Sequence, residues 1–245
     1  MRLDHLMVTL SLGSRKEVQK SIRAGRIRVN DKICKDPANQ IISTDSVDYD
    51  GNRLDTRLQR HVMMNKPAGL LTAARDRKQP TVMGLLPPEF TTLGCMPCGR
   101  LDKDTEGLLL LTTDGELAHR LLAPGRHVDK RYQARVIGRL TEAEETAFAE
   151  GMDLGDFVTA PAQLTILRAE DQESLAQVVV HEGKFHQVKR MFEKTGHPVV
   201  ALKREQFGPL ALDPLLPPGA WRELTKEETD CLYTAAALKH VTDVF

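Results

Sequence analysis

The chain is short of several features that mark common protein classes. Its 245 residues include only four cysteines, Cys34, Cys95, Cys98 and Cys231. That is too few for a disulfide scaffold of this size, so reduced thiols are expected. No stretch approaches the roughly 20 consecutive apolar residues that cross a bilayer. Arg2, Asp4 and His5 interrupt any apolar run at the N-terminus, which removes a secretory leader and makes a cytoplasmic chain with no membrane partner the expectation. There is no internal repeat, no glycine-rich phosphate fingerprint and no regular strand–helix–strand alternation. Nor is there net charge, with 34 Lys and Arg against 34 Asp and Glu. What remains, 41% hydrophobic residues, is enough to build a real core, in one large domain or two modest ones.

The balanced charge is unevenly placed. Residues 1–35 hold nine Lys and Arg against three acids, a net +6, and the part beyond residue 60 is net negative. Such a front end suits an anionic partner such as nucleic acid, although charge alone also fits a solvated helix face. Leu3, Leu6 and Leu10 suggest a short amphipathic helix ending near Gly13. Ser14 and Glu17 form a capping box opening a second helix, with Val18 and Ile22 on one face and a stop at Gly25. Ile27, Val29 and Ile33 alternate around Asn30-Asp31 as a hairpin. Residues 52–60, charged and without apolar period, read as a linker. The expected organisation is a small module over 1–51, the linker, and a larger domain over 61–245.

Beyond the linker, His61–Met64 runs as a strand into the breaker cluster Asn65-Lys66-Pro67-Ala68-Gly69. Leu108–Leu111 is a continuous apolar run suited to a buried central strand, and Asp114 can cap a helix over 116–122. Lys130–Val136 alternates, with Tyr132, Ala134 and Val136 on one face. Thr141 with Glu144 and Thr225 with Glu228 head two more helices, strands dominate 157–182, and Phe185, Val188 and Phe192 share a helical face ending at Gly196. The irregular mixture predicts an α+β fold, a largely antiparallel mixed sheet flanked by helices.

The most informative stretch is GRLDKDTEGLLLLTTDG, residues 99–115, where a charged loop feeds a buried strand and places Asp102 at the rim of a core. Taken by itself it fits either a turn with paired charges or a reactive carboxylate. It closely resembles the signature of the RNA pseudouridine synthases that carry an N-terminal S4 domain. MNKPAG (64–69), KRYQARV (130–136) and HEGKFHQVKRMFEKTGHPVVALKREQFGPL (181–210) follow the same family's order, the last being most like its small-subunit, RsuA-type branch. RLDHLMVTLSLGSRKEVQKSIRAGRIRVNDKI, near the start, resembles the S4 RNA-binding domain itself.

The resemblance implies isomerisation of a uridine in ribosomal RNA, most simply 16S, by cleavage of the N1–ribose bond and reattachment through C5. A large-subunit (23S) target, or a non-catalytic ribosome-assembly factor on the same fold, are the alternatives. It implies Asp102 as the catalytic aspartate, with Tyr132 and Lys189 beside it. A cation at Lys189, or in reserve at Arg190, would favour and orient the charged carboxylate, though either also fits a phosphate contact. Tyr132 would stack on the flipped base, and Arg100, Leu101, Leu202 and Lys66 would complete the pocket. Lys66 equally suits a turn, and Tyr132 and Leu202 equally suit ordinary packing. Arg2, Ser14, Arg15, Lys16, Arg23, Arg26, Arg28 and Lys32 are the expected RNA contacts of the S4-like module. The implied partner is ribosomal RNA or a small-subunit assembly particle, bound by a monomer. The reaction exchanges no electrons and hydrolyses nothing, so neither metal nor cofactor is expected. Cys95-Met96-Pro97-Cys98 stands without a second pair, which favours incidental thiols over zinc or redox chemistry. His119, His127, His181, His186 and His197 read as surface or capping residues.

Overall fold

The computed structural model of the protein describes residues 1–239; the last six positions of the expected 61–245 domain lie outside the described residues. The N-terminal unit contains α1 (Leu3–Thr9), α2 (Arg15–Arg23), β1 (Ile27–Val29), β2 (Lys32–Cys34), β3 (Val47–Tyr49) and β4 (Asn52–Arg53). The sheet order is β2-β1-β3-β4. Ser14 caps α2 through a reciprocal box with Glu17, satisfying two otherwise orphaned N–H groups. The apolar spacing then carries Val18 and Ile22 into a core with Leu3, Leu6, Met7, Ile27, Ile41 and Val47. Asn30 and Asp31 both take positive φ (50° and 64°), the conformation a two-residue hairpin turn demands.

The module extends past residue 51. Asn52–Arg53, expected in the linker, pair with β3 around the Asp50-Gly51 turn, and Leu54 and Leu58 pack on the N-terminal core. An edge strand exposed on both faces has no alternation to betray it, which is why its charges read as linker.

The larger unit is one mixed sheet. Its elements are β5 (His61–Lys66), α3 (Pro88–Thr92), β6 (Met96–Pro97), β7 (Glu106–Thr112), α4 (Gly115–Leu122), β8 (Lys130–Ile137), α5 (Glu142–Glu150), β9 (Gln163–Ala169), β10 (Glu173–Val180), α6 (Gln187–Lys194), β11 (Val199–Phe207), β12 (Leu210–Ala211), β13 (Trp221–Glu223) and α7 (Lys226–Ala235). The main path is β13-β5-β7-β11-β8-β10-β9, with β6 on β7 and β12 on β11. Every pairing is antiparallel except β7 with β11.

The four leucines of β7 explain its central position. Leu109 and Leu111 face a core shared with Ala134, Val136, Phe148 and Phe192. Leu108 and Leu110 face the opposite one, with Leu117, Leu121, Phe207 and Leu232. Both faces are covered, so the run is continuously apolar. Where β7 meets β11 in parallel, Gly107 has φ +100°, and a Cβ there would lie 2.2 Å from the Arg204 carbonyl oxygen. Only glycine permits this approach. The caps expected at Asp114, Thr141 and Thr225 all form.

The helix expected to carry Phe185 begins two residues later. His186 adopts a left-handed conformation and acts as the cap, so Phe185 projects outward at 65% exposure, while Val188 and Phe192 are buried.

Candidate active site

The loop 99–105 joins β6 to β7 at the edge of the sheet. A turn closed by the Thr105 N–H on the Asp102 carbonyl, 3.1 Å, shapes it. The segment after β5 holds it from below: the Thr72 hydroxyl donates to the Leu101 carbonyl at 2.8 Å, and the Gly69 N–H donates to the Lys103 carbonyl at 2.7 Å. Leu101 is buried, and Asp102 is left at the surface of a cleft.

Lys66 is the strongest of these restraints, and its position corrects the expectation that it lines the pocket. The side chain is fully buried. Its ammonium donates to the carbonyls of Pro67 (3.0 Å), Lys103 (3.1 Å) and Thr105 (2.8 Å). Burial pushes its pKa down to about 8, against the pull of Asp104 and Asp102. The strand-end lysine therefore shapes the loop from behind, because the chain returns over it at residues 103–105.

The opposite wall comes from α6. Lys189 Nζ lies 3.3 Å from Asp102 Oδ2 and 2.5 Å from Asp104 Oδ1. The hydrogen bond from the Lys189 ammonium holds the Asp104 carboxyl below the usual carboxylate range. His186 Nε2 approaches the other oxygen of Asp102 at 3.4 Å. The carboxylate is thus bracketed by two nitrogen-bearing side chains one helical turn apart. His186, expected among the surface or capping histidines, is the N-cap of α6 and stands three residues before Lys189, so the helix start carries both toward Asp102.

Arg190, the reserve cation, points elsewhere. It bonds the Asp156 carboxylate and the Leu154 carbonyl and packs over Phe157. The helical rotation from Lys189 to Arg190 turns it away from Asp102.

Asp102, Arg100, Leu101, Tyr132, Lys189 and Leu202 all line one cleft. Tyr132 and Leu202 come from adjacent strands β8 and β11, and Tyr132 is nine-tenths buried. Thr105 also lines it; among the described residues its buried hydroxyl has no hydrogen-bond partner. A polar carboxylate at one end and an aromatic–aliphatic floor suit a flat heterocycle attached to a sugar.

In the N-terminal module the expected RNA contacts divide. Arg2 is engaged by the buried Asp4 through two hydrogen bonds, Ser14 by Glu17, and Arg26 by Asp50 while covering Tyr49. These three serve the fold. Lys16, Arg23, Arg28 and Lys32 are exposed and make no ion pair among the described residues. Arg15 is 72% exposed with a long contact to Asp4.

Cys95 and Cys98 do not form a pair. Cys95 faces the core on one side of the sheet and Cys98 the core on the other, and burial pushes each thiol up to about 12. Among the described residues no three His, Cys, Asp or Glu side chains gather as a metal site, and no helix is long and apolar enough to cross a membrane.

A basic two-helix module followed by a mixed sheet with an Asp–Lys site beside an apolar pocket is the build of an RNA-modifying enzyme, and comparison with known proteins gives the family. The RNA pseudouridylate synthase model matches residues 60–194 and the S4 domain model residues 1–45; the chain belongs to the RNA pseudouridylate synthase family. It is 42% identical over 95% of its length to the uncharacterised RNA pseudouridine synthase YtzG of Bacillus subtilis, covering 98% of that protein. It is 38% identical over 93% of its length to ribosomal small subunit pseudouridine synthase A of Pseudomonas aeruginosa, again covering 98% of it. A crystal structure of a pseudouridylate synthase superposes with a TM-score of 0.65 at 33% identity, covering 95% of this chain and 99% of the other.

Proposed function

We propose that this protein converts a uridine of small-subunit ribosomal RNA to pseudouridine, with Asp102 as the catalytic carboxylate. The observation that carries the proposal is the bracketing of Asp102 by Lys189 and His186 at the mouth of a cleft floored by Tyr132 and Leu202. The names of relatives at 34–38% identity over nearly the whole chain support the small subunit as target.

The isomerisation breaks the bond from N1 to the ribose, rotates the uracil and makes a bond from C5 to the same ribose carbon. A proton leaves C5 and one is gained at N1, so composition is unchanged and no electron acceptor is needed. Asp102, at the rim, is placed to act on the reacting nucleotide by addition or proton transfer. Lys189, 3.3 Å from it, orients the carboxylate. Tyr132 stacks on the base while it is detached, and Leu202 packs under it.

The exposed cations of the N-terminal module, Arg15, Lys16, Arg23, Arg28 and Lys32, follow the phosphate backbone. Anchor and site lie in one chain, which supports action as a monomer, in the cytoplasm, on ribosomal RNA or a small-subunit assembly particle.

Mapping pseudouridine in ribosomal RNA from cells with and without this protein tests the target. Complementation with Asp102→Asn, nearly isosteric but uncharged, tests the residue. The modification should vanish from one small-subunit position and stay absent with Asp102→Asn, while RNA affinity persists. A folded Asp102→Asn protein that restores the modification at wild-type level would refute the assignment.

A further inference from the structure

A second cleft, of about 440 Å³, adjoins the first and shares Arg100, Asp102, Glu182, Gly183, Lys184 and His186 with it. That size falls within the roughly 300–1,000 Å³ scale of small-molecule sites, and Tyr132 and Leu202, the floor of the pocket for the reacting base, do not line it. Three features of this space need explaining.

The first is Phe185. Phe90, Phe148, Phe192 and Phe207 are at most 1% exposed, whereas Phe185 is 65% exposed on the cleft wall. One face of its ring lies on the imidazole of His186, centroids 3.8 Å apart and planes within 17°, leaving the other face bare. The second is the backbone holding it there. His186 has φ +51°, a conformation non-glycine residues adopt at some energetic cost and keep only where the surroundings fix it. That strain places one ring against Asp102 and, stacked on it, the other in the cleft. The third is Lys130, at the cleft wall and nine-tenths buried. Its ammonium lies over the Phe207 ring and, among the described residues, donates to a single acceptor, the Val128 carbonyl at 2.9 Å, so two N–H groups have no hydrogen-bond acceptor. Of the two acids on this wall, Asp102 faces His186 and Lys189, and Glu182 is engaged by Gln187, the Ala160 N–H and Lys184.

Resting on the assignment of RNA as substrate, we propose that this second cleft is a subsite for the nucleotide adjoining the target uridine. Its base stacks on the free face of Phe185, and the phosphate joining it to the target is received by Lys130. A bare aromatic face accepts any base, and a buried cation with two N–H groups lacking acceptors donates to a phosphate oxygen. The Phe185–His186 stack then continues from the neighbouring base to the carboxylate at the reacting one. Stacking there would hold the strand splayed open while the target base leaves its own stack.

The test uses the full chain with whichever ribosomal RNA loses its pseudouridine in cells lacking the protein. A large-subunit site would overturn the small-subunit reading and leave this test intact. Phe185→Ala, Phe185→Leu and Phe185→Tyr are compared on that RNA and on versions made abasic at either neighbour of the target. The side chain is exposed, so melting should be unchanged in all three. Loss of a stacked base predicts that KM rises roughly tenfold or more in Phe185→Ala and nearly as much in Phe185→Leu, which keeps apolar area without a π face. Phe185→Tyr should restore it. One abasic substitution should raise KM for the wild type but not further for Phe185→Ala. Wild-type KM in Phe185→Ala, or the same penalty with every abasic RNA, would overturn the proposal. Separately, Phe185→Trp should show emission quenched by RNA, above the steady signal of Trp221, which is packed on Phe90 and bonded to the Leu85 carbonyl. Unquenched emission at saturating RNA would count equally against it.

Discussion

Replacing Lys66 by methionine separates the shape of the catalytic loop from the stability of the fold. The substitution keeps length and apolar contact but deletes the ammonium that three carbonyls share. The Lys103 carbonyl retains the Gly69 N–H, while those of Pro67 and Thr105 lose this donor. One buried and one half-buried acceptor left unsatisfied cost at most about 6 kcal/mol in all. Against this, the amine's pKa is pushed down from 10.5 to about 8 by burial, so the wild type already carries a penalty of about 3 kcal/mol for holding it charged at neutral pH. The net loss should be no more than about 3 kcal/mol, a fall in Tm of at most about 10 °C.

Activity should suffer far more. A displacement of about 1 Å in a catalytic group can cost about 100-fold in rate, and residues 103–105 fix the backbone on which Asp102 is carried. Single-turnover pseudouridine formation by Lys66→Met should therefore fall about 100-fold in a protein that still melts cooperatively. The pH dependence has a definite sign. A folded-state pKa lowered to about 8 means the burial penalty is present in full below pH 8 and is relieved as pH rises towards the unfolded value of 10.5. The wild type gains that relief and Lys66→Met does not, so the gap in Tm between them should widen between pH 8 and pH 10. Near wild-type turnover, or a gap that stays flat over that range, would refute the reasoning.

Lys189→Met should lower turnover less than Asp102→Asn, since the lysine orients the carboxylate without reacting. The Asp104 carboxyl, held down by Lys189, should titrate at higher pH in that variant by side-chain NMR. Reversing Arg15, Lys16 and Arg23 to Glu should weaken RNA binding and flatten its salt dependence by about 0.7–0.9 in logarithmic slope per lost phosphate contact; an unchanged slope would remove the module from the RNA interface. Under a thiol reagent Cys231, which is exposed, should react first and Cys34 next, with Cys95 and Cys98 reacting only on unfolding. Four equally fast thiols would contradict the burial that raises the two buried ones.

Much of this protein is local in origin, and that part was legible along the chain. The capping boxes at Ser14, Thr141 and Thr225 need only residues three apart, and each forms. The leucine run of β7 is buried on both faces because nothing polar interrupts it. Asp102 stands out because a charged loop must surface where such a strand begins.

Other features depend on segments far apart in sequence, and only the tertiary structure decided them. Lys66 became a support for the loop because residues 103–105 fold back over it, and Arg190 left the site because one step along α6 turns a side chain by about 100°. Cys95 and Cys98 parted because the short strand between them sends alternate residues to opposite cores. β4 reads as linker because an exposed edge has no apolar period, and Phe185 falls outside α6 because one left-handed residue, His186, starts that helix two positions late. Hydrophobic period and capping are short-range and can be read one turn at a time. Which cation meets which carboxylate, and which ring is left bare, is set by packing between elements whose separation in sequence carries no such signal.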